Sequence, residues 1–202
     1  PEASKPVMEG KALLFKIFSD IDVFDIEIDA TDIDKFVETV KAIAPTFGGI
    51  NLEDIKAPES FEIERRLVEE LNIPVMHDDQ HGTAIISSAA LLNALELANK
   101  KIEDVKLVVS GAGSAALACS NLYVLLGVKL ENIVMFDSHG ILSDDRTDLS
   151  DLQRRYCRGE KGKSLKEALV NADVFLGLSA GNILTPELSL VIANDPIVLA
   201  IS

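Results

Sequence analysis

The chain has 202 residues, 48% hydrophobic and 26% charged, and 33 acidic against 19 basic residues leave a net charge of −14. That length holds one sizeable domain or two small ones, and the composition is that of a soluble globular protein. The charge argues against nucleic acid or an anionic membrane surface as the main partner, while a local metal or lysine can still reverse the field inside one pocket.

Pro6–Phe18 reads as a turn leading into a short helix with apolar residues at Leu13, Leu14, Ile17 and Phe18, and Lys11 stands near its start. Asp22–Asp29 alternates apolar and acidic residues, the pattern of a strand with one wet face. Thr31 and Asp32 offer N-caps to a helix over Ile33–Ala44, which Pro45 follows. Gly48–Ile55 is expected to be a strand running into the adjacent acids Glu53 and Asp54. Pro58 then opens an amphipathic helix over Glu59–Leu71. Ile73–Met76 is a short buried strand that spills into His77, Asp78, Asp79, Gln80, His81 and Gly82. Thr83–Ala98 carries so few charges that a buried helix is expected there.

The second half alternates strand and helix more openly, which argues α/β. Val105–Ser110 is a strand, Gly111–Ala116 reads GAGSAA, and Ser114–Leu126 is an apolar helix ended by Gly127. Asn132–Asp137 is the next strand, closed by an acid. A polar loop expected to be flexible (Ser143–Lys163) precedes a helix over Leu165–Asn171 capped by Ser164. Val174–Ser179 is a strand, Leu184–Ala193 a helix begun with Pro186, and Pro196–Ser202 a last strand. There is no signal-peptide pattern and no apolar run long enough to span a bilayer. Cys119 and Cys157 have neither metal-site nor disulfide spacing, so a reduced cytoplasmic setting is expected.

Three groups of residues carry possible chemistry. In GAGSAA the first glycine permits a tight turn, the second leaves room for a pyrophosphate, and Ala116 allows close helix–strand packing. With the flanking strand and helix this favours a dinucleotide site over an ordinary glycine turn, and Asp137 would accept from the ribose 2′-OH of NAD. Cofactor choice stays open, because neighbouring residues can also accommodate the 2′-phosphate of NADP. Glu53-Asp54 and Asp78-Asp79 are either solvated acidic turns or hard oxygen ligands for Mg²⁺ or Mn²⁺ at consecutive strand ends. Spacing alone leaves Lys11 as a surface lysine, His77 and His81 as residues satisfying the helix start, and Cys119 as an apolar packing residue.

Taken together, PVMEGKALLFK (Pro6–Lys16), FGGINLEDI (Phe47–Ile55), PVMHDDQHGTA (Pro74–Ala84) and SGAG (Ser110–Gly113) resemble malic enzyme, in the shorter bacterial-type branch. The resemblance implies an α/β chain in which part of a smaller N-terminal substrate and metal domain (1–75) precedes a Rossmann-like, parallel-sheet NAD(P)-binding domain (76–202). It implies oxidative decarboxylation of malate to pyruvate and CO₂ with NAD or NADP and Mg²⁺ or Mn²⁺. Lys11 would be the general base, acting through a depressed pKa; Glu53, Asp54 and Asp79 the metal ligands, with Asp78 supporting the site; and Gly111, Ala112, Gly113, Ser114 and Ala115 the diphosphate loop. A homodimer or larger assembly is implied as well. The family's enolate-protonating tyrosine and substrate-gripping arginine precede the first motif, and its Asn-Pro follows the last strand. Tyr123 and Tyr156 lie in the wrong context to substitute, so the 202 residues are expected to be the inactive middle of a larger enzyme. The alternative from another class is a non-catalytic nucleotide-binding or regulatory module. A metal-independent amino- or hydroxy-acid dehydrogenase is a third reading.

Overall fold

The computed structural model describes residues 3–158 and 160–201 and falls into two units, Pro1–Asp78 and Asp79–Ser202. In the first, α1 (Lys5–Ser19) has proline in its first turn, where a missing N–H leaves no helical bond unmade. It ends at Asp20, in the left-handed conformation with φ 53°. The carboxylate of Asp32 caps α2 (Ile33–Ile43) by accepting from the Lys35 amide at 2.8 Å. Helical spacing then turns Val37 and Val40 inward, against Leu52 of β1 (Ile50–Leu52) and Ile63 and Leu67 of α3 (Glu59–Glu70).

Strand β2 (Val75–His77) pairs with β1 in parallel, with Leu52 opposite His77. This register brings out the two following acids, Glu53 and Asp78, side by side. The expected strand over Asp22–Asp29 carries no ladder. Its acids are drawn instead onto α1: Asp25 accepts from Lys5 at 3.1 Å and Asp22 from Lys16 at 2.9 Å.

A π-helical turn, Asp78–Gly82, leads into the second unit and α4 (Thr83–Leu97). Leu91 and Leu95 of α4 are buried, but Ile85, Ile86 and Leu97 are exposed. The buried helix expected from its low charge is therefore buried along one face only. The sheet contains β3 (Leu107–Ser110), β4 (Ile133–Asp137), β5 (Gly140–Ile141), β6 (Val174–Gly177) and β7 (Ile197–Ala200) in the order β5-β4-β3-β6-β7. All pairs are parallel except β4 with β5. Every residue of β3 and β6 is buried, as expected of central strands covered on both faces.

Helix α5 (Ser114–Leu126) follows β3 and packs on α4, with Ser87 Oγ 3.3 Å from Cys119 Sγ. Gly127 ends it at φ 125°. Both cysteines are free and buried. The short helices are α6 (Asp151–Arg154), α7 (Leu165–Leu169) and α8 (Pro186–Ser189). Val108, Phe136 and Phe175 from neighbouring strands bury against Ala168, Leu169 and Ala172.

The loop expected to be flexible has internal order. Ser150 and Gln153 form a capping box on α6, Leu149 is buried, and the fully buried Tyr156 donates to Asn121 Oδ1 at 2.6 Å. Gly159 of that loop, and Ser202 at the end of the expected last strand, lie outside the described residues. Among the described residues no helix is long and apolar enough to cross a membrane.

Candidate functional site

In the first unit, α1 supplies Lys11 and the two parallel strand ends supply acids. Lys11 Nζ lies 2.7 Å from Asp78 Oδ2 and 3.1 Å from Glu53 Oε2. The Glu53 side chain is only 8% exposed, so this carboxylate depends on its partner more than a surface acid does. Burial works to lower the Lys11 pKa, but hydrogen bonds to Asp78 and Glu53, together with their charges, outweigh it and hold the ammonium above its ordinary value. The depressed lysine pKa expected from the sequence is therefore absent in this pairing.

Asp54 follows at φ 55° and is exposed; the acids that meet Lys11 are Glu53 and Asp78. Asp79 is the next residue along the chain and is half-buried. His77 is buried, its backbone amide donating to Glu64 Oε1 at 2.9 Å, while His81 is exposed. Carboxylates that converge in this way are hard oxygen donors suited to Mg²⁺ or Mn²⁺.

In the second unit, the chain from β3 runs to β4 on one side and β6 lies on the other. A crevice opens where an open parallel sheet reverses direction in this way. A cleft of about 450 Å³ lies there, within the range of small-molecule sites. It is lined by Gly111–Gly113, by Asp137–His139 at the end of β4 and just beyond it, by Asp148 and Gln153, and by Leu178 and Ser179 after β6.

Gly111 has φ 125°, and a Cβ placed on it would stand 2.7 Å from the Leu178 carbonyl oxygen. Gly113, the N-cap of α5, has open space around it and no side-chain cap. The first amides of α5, from Ser114 onward, thus keep the unpaired N–H groups and positive dipole end that suit a phosphate. Ser114 and Ala115 occupy that first turn beside the cleft lining.

Sequence reasoning missed three partners in this cleft. Gln153 Nε2 donates to the Ala112 carbonyl at 3.0 Å, and Ser110 and Ser179 share a 2.9 Å hydroxyl contact. Arg146 grips Asp137 with both terminal nitrogens, at 2.8 and 2.7 Å, and the His139 amide donates to the same carboxylate at 2.8 Å. Burial would raise the Asp137 pKa, but these hydrogen bonds hold it below the usual carboxylate value. Only the mixture of acids and arginine in DSHGILSDDRTD hinted at the pairing.

Parallel order, the glycine turn and the cleft at the strand reversal define the second unit as a Rossmann-type nucleotide-binding domain. Residues 80–202 match the family model for the malic enzyme NAD binding domain, and residues 2–68 that for the malic enzyme N-terminal domain. The chain belongs to the malic enzyme family.

It is 57% identical over 203 residues to an NAD-dependent malic enzyme of Rhizobium meliloti, covering 100% of this chain and 26% of that protein. It is 54% identical to an NADP-dependent malic enzyme of Escherichia coli, over 99% of this chain and 27% of the relative. The crystal structure of an NAD-dependent malic enzyme from Thermotoga maritima superposes with a TM-score of 0.90 at 46% identity, covering 98% of this chain and 54% of the other. The chain thus spans about a quarter of the length of these two relatives and about half of that crystallised chain.

Proposed function

We propose that this chain contributes the base, metal ligands and cofactor cleft of an enzyme that oxidatively decarboxylates malate to pyruvate and CO₂ while reducing NAD⁺ or NADP⁺. The observation that carries the reading is the convergence of Lys11 on Glu53 and Asp78 at the ends of two parallel strands. The contact sets a lysine able to exchange a proton beside Glu53, a carboxylate that could serve as a hard oxygen ligand, which is the combination this reaction uses.

Lys11 Nζ takes the proton of the malate hydroxyl once its own proton is released. Glu53 and Asp54 would hold the metal with two ligands, and Asp79 would supply the third, as the resemblance in the HDDQHGT motif implies. Asp78 positions the lysine. Glu53 and Asp78 are the two acids that hold the Lys11 proton, so drawing Glu53 away from the lysine would lower its pKa. A divalent Mg²⁺ or Mn²⁺, when bound, supplies Lewis-acid polarisation of the substrate oxygens. The cleft lined by Gly111–Gly113 and Asp137 would hold NAD(P)⁺, which would supply the hydride acceptor. Gly111–Ala115 hold the diphosphate on main-chain N–H groups, and Asp137 faces the adenosine ribose. Cytoplasmic location and assembly as a homodimer or larger oligomer belong to the same proposal.

The test is malate-dependent reduction of NAD⁺ and NADP⁺, followed by absorbance with Mn²⁺ in the intact protein. Turnover that disappears with chelation and with Lys11→Ala supports the proposal. Dinucleotide binding without malate-dependent turnover would sink it and favour a non-catalytic nucleotide-binding module.

A further inference from the structure

Arg146 is fully spent. Its guanidinium has five N–H donors. Nε donates to Asp148 Oδ1 at 3.0 Å, and Nη1 to Asp137 Oδ1 at 2.8 Å and the Ile141 carbonyl at 3.4 Å. Nη2 donates to Asp137 Oδ2 at 2.7 Å and Asp148 Oδ2 at 2.6 Å. Two carboxylates against one guanidinium leave a net negative cluster. Asp137 and Asp148 line the cleft, whereas the Arg146 side chain lies behind them, 14% exposed.

Resting on the reading that this cleft takes a nicotinamide dinucleotide, we infer that the Asp137–Arg146–Asp148 clamp makes the site select NAD over NADP, and that Asp148 sets the choice by occupying Arg146. Asp137 Oδ1 already accepts two hydrogen bonds, from Arg146 and the His139 amide, but Oδ2 accepts only from Arg146. A carboxylate oxygen has two acceptor positions, so Oδ2 keeps one for a ribose 2′-hydroxyl. A 2′-phosphate has no proton to offer there at neutral pH and brings a charge of roughly −1.5 to −2 against the cluster. An arginine is the residue that would welcome it, yet no donor of Arg146 is free. Asp148 alone accounts for two of them and is half exposed at the rim, while Asp137 keeps its own bonds to Arg146 and to the His139 amide. Asp148 is therefore a positioning residue for cofactor choice.

The test is titration calorimetry of NAD⁺ and of NADP⁺ against the intact protein, as wild type, Asp148→Ala, Asp148→Glu and Asp148→Ala with Arg146→Ala. Wild type is expected to prefer NAD⁺. Asp148→Ala should tighten NADP⁺ binding by about tenfold while changing NAD⁺ binding by no more than roughly threefold, the worth of a charge-assisted hydrogen bond. Asp148→Glu should restore the preference, and the double variant should lose the gain for NADP⁺.

If Asp148→Ala disturbs the loop, Asp148→Asn keeps its volume and should shift the ratio in the same direction. A wild type that prefers NADP⁺, or an Asp148 variant that weakens both ligands alike, would overturn the inference and leave the dinucleotide reading standing. A wild type that binds neither would remove the dinucleotide reading and the inference with it.

Discussion

Gln153 donates a 3.0 Å hydrogen bond to the carbonyl of Ala112, tying α6 to the glycine turn from across the cleft. The capping box with Ser150 fixes where that glutamine sits, so the turn is held by a short helix of its own. Gln153→Ala removes the bond to Ala112 together with the two that its Oε1 accepts from Ser150, and should cost about 1–3 kcal/mol of stability and raise the dinucleotide Kd. Thermal unfolding and calorimetric titration of the same variant check both effects.

The two glycines of the turn should fail differently. Gly111→Ala forces a Cβ to within 2.7 Å of the Leu178 carbonyl at φ 125° and should destabilise the unit by about 2 kcal/mol or more. Gly113→Ala meets nothing within 4 Å and should keep stability within about 1 kcal/mol of wild type, consistent with its unstrained backbone. It should still weaken dinucleotide binding if the proposed seat is right, because the methyl group fills the open space at Gly113 where the diphosphate is proposed to lie. Denaturant melts beside binding titrations separate the two cases.

Lys11→Ala should lower malate turnover by roughly 100- to 10,000-fold, the range for loss of a general base. NAD(P) affinity should be unchanged, since the cleft is built by the second unit alone. Steady-state kinetics beside a binding isotherm test this, and equal losses in both would contradict the role.

The Arg146 clamp predicts an acid-sensitive contribution to stability. Hydrogen bonding from Arg146 pulls the Asp148 pKa down to about 2, and Asp137 is lowered as well. Both acids have folded values below their unfolded ones, so their contribution is fully present above the unfolded pKa of about 3.9 and fades as the pH falls toward about 2. Arg146→Ala should therefore lower the midpoint of thermal unfolding by a constant amount between roughly pH 5 and 8, with the gap closing below about pH 4. Melting curves across that range, for wild type and variant, provide the check.

Elements whose signals are local could be read from the chain directly. Ser164 caps α7 through its own capping box, Pro186 opens α8, and α5 runs as an apolar helix from Ser114 to the Gly127 stop, although α7 ends at Leu169 and α8 at Ser189, short of the expected Asn171 and Ala193. Alternation in Asp22–Asp29 defined two faces but could not name a strand partner, and the acids went to Lys5 and Lys16 instead. Low charge in α4 could not reveal that Ile85, Ile86 and Leu97 would be left exposed.

The site divides in the same way. The glycine turn is a local motif and was legible, whereas the Lys11–Asp78 bond joins residues 67 apart and the Arg146 fork depends on how the loop after β5 folds back. Which acid of each pair meets Lys11 is set by strand register, which spacing along the chain does not encode.

The floor of the cleft is made of peptide groups. The Gly111 amide donates to the Phe136 carbonyl and the Leu178 amide to that of Ser110, both at 2.8 Å, stitching three strand ends together without a side chain. Away from Gly111, such a floor depends little on side-chain identity, while the rim of the cleft presents the side chains of Asp137, His139 and Asp148. On the proposed reading, exchanges at the rim would alter cofactor preference while the main-chain floor and the sheet beneath it stay as they are.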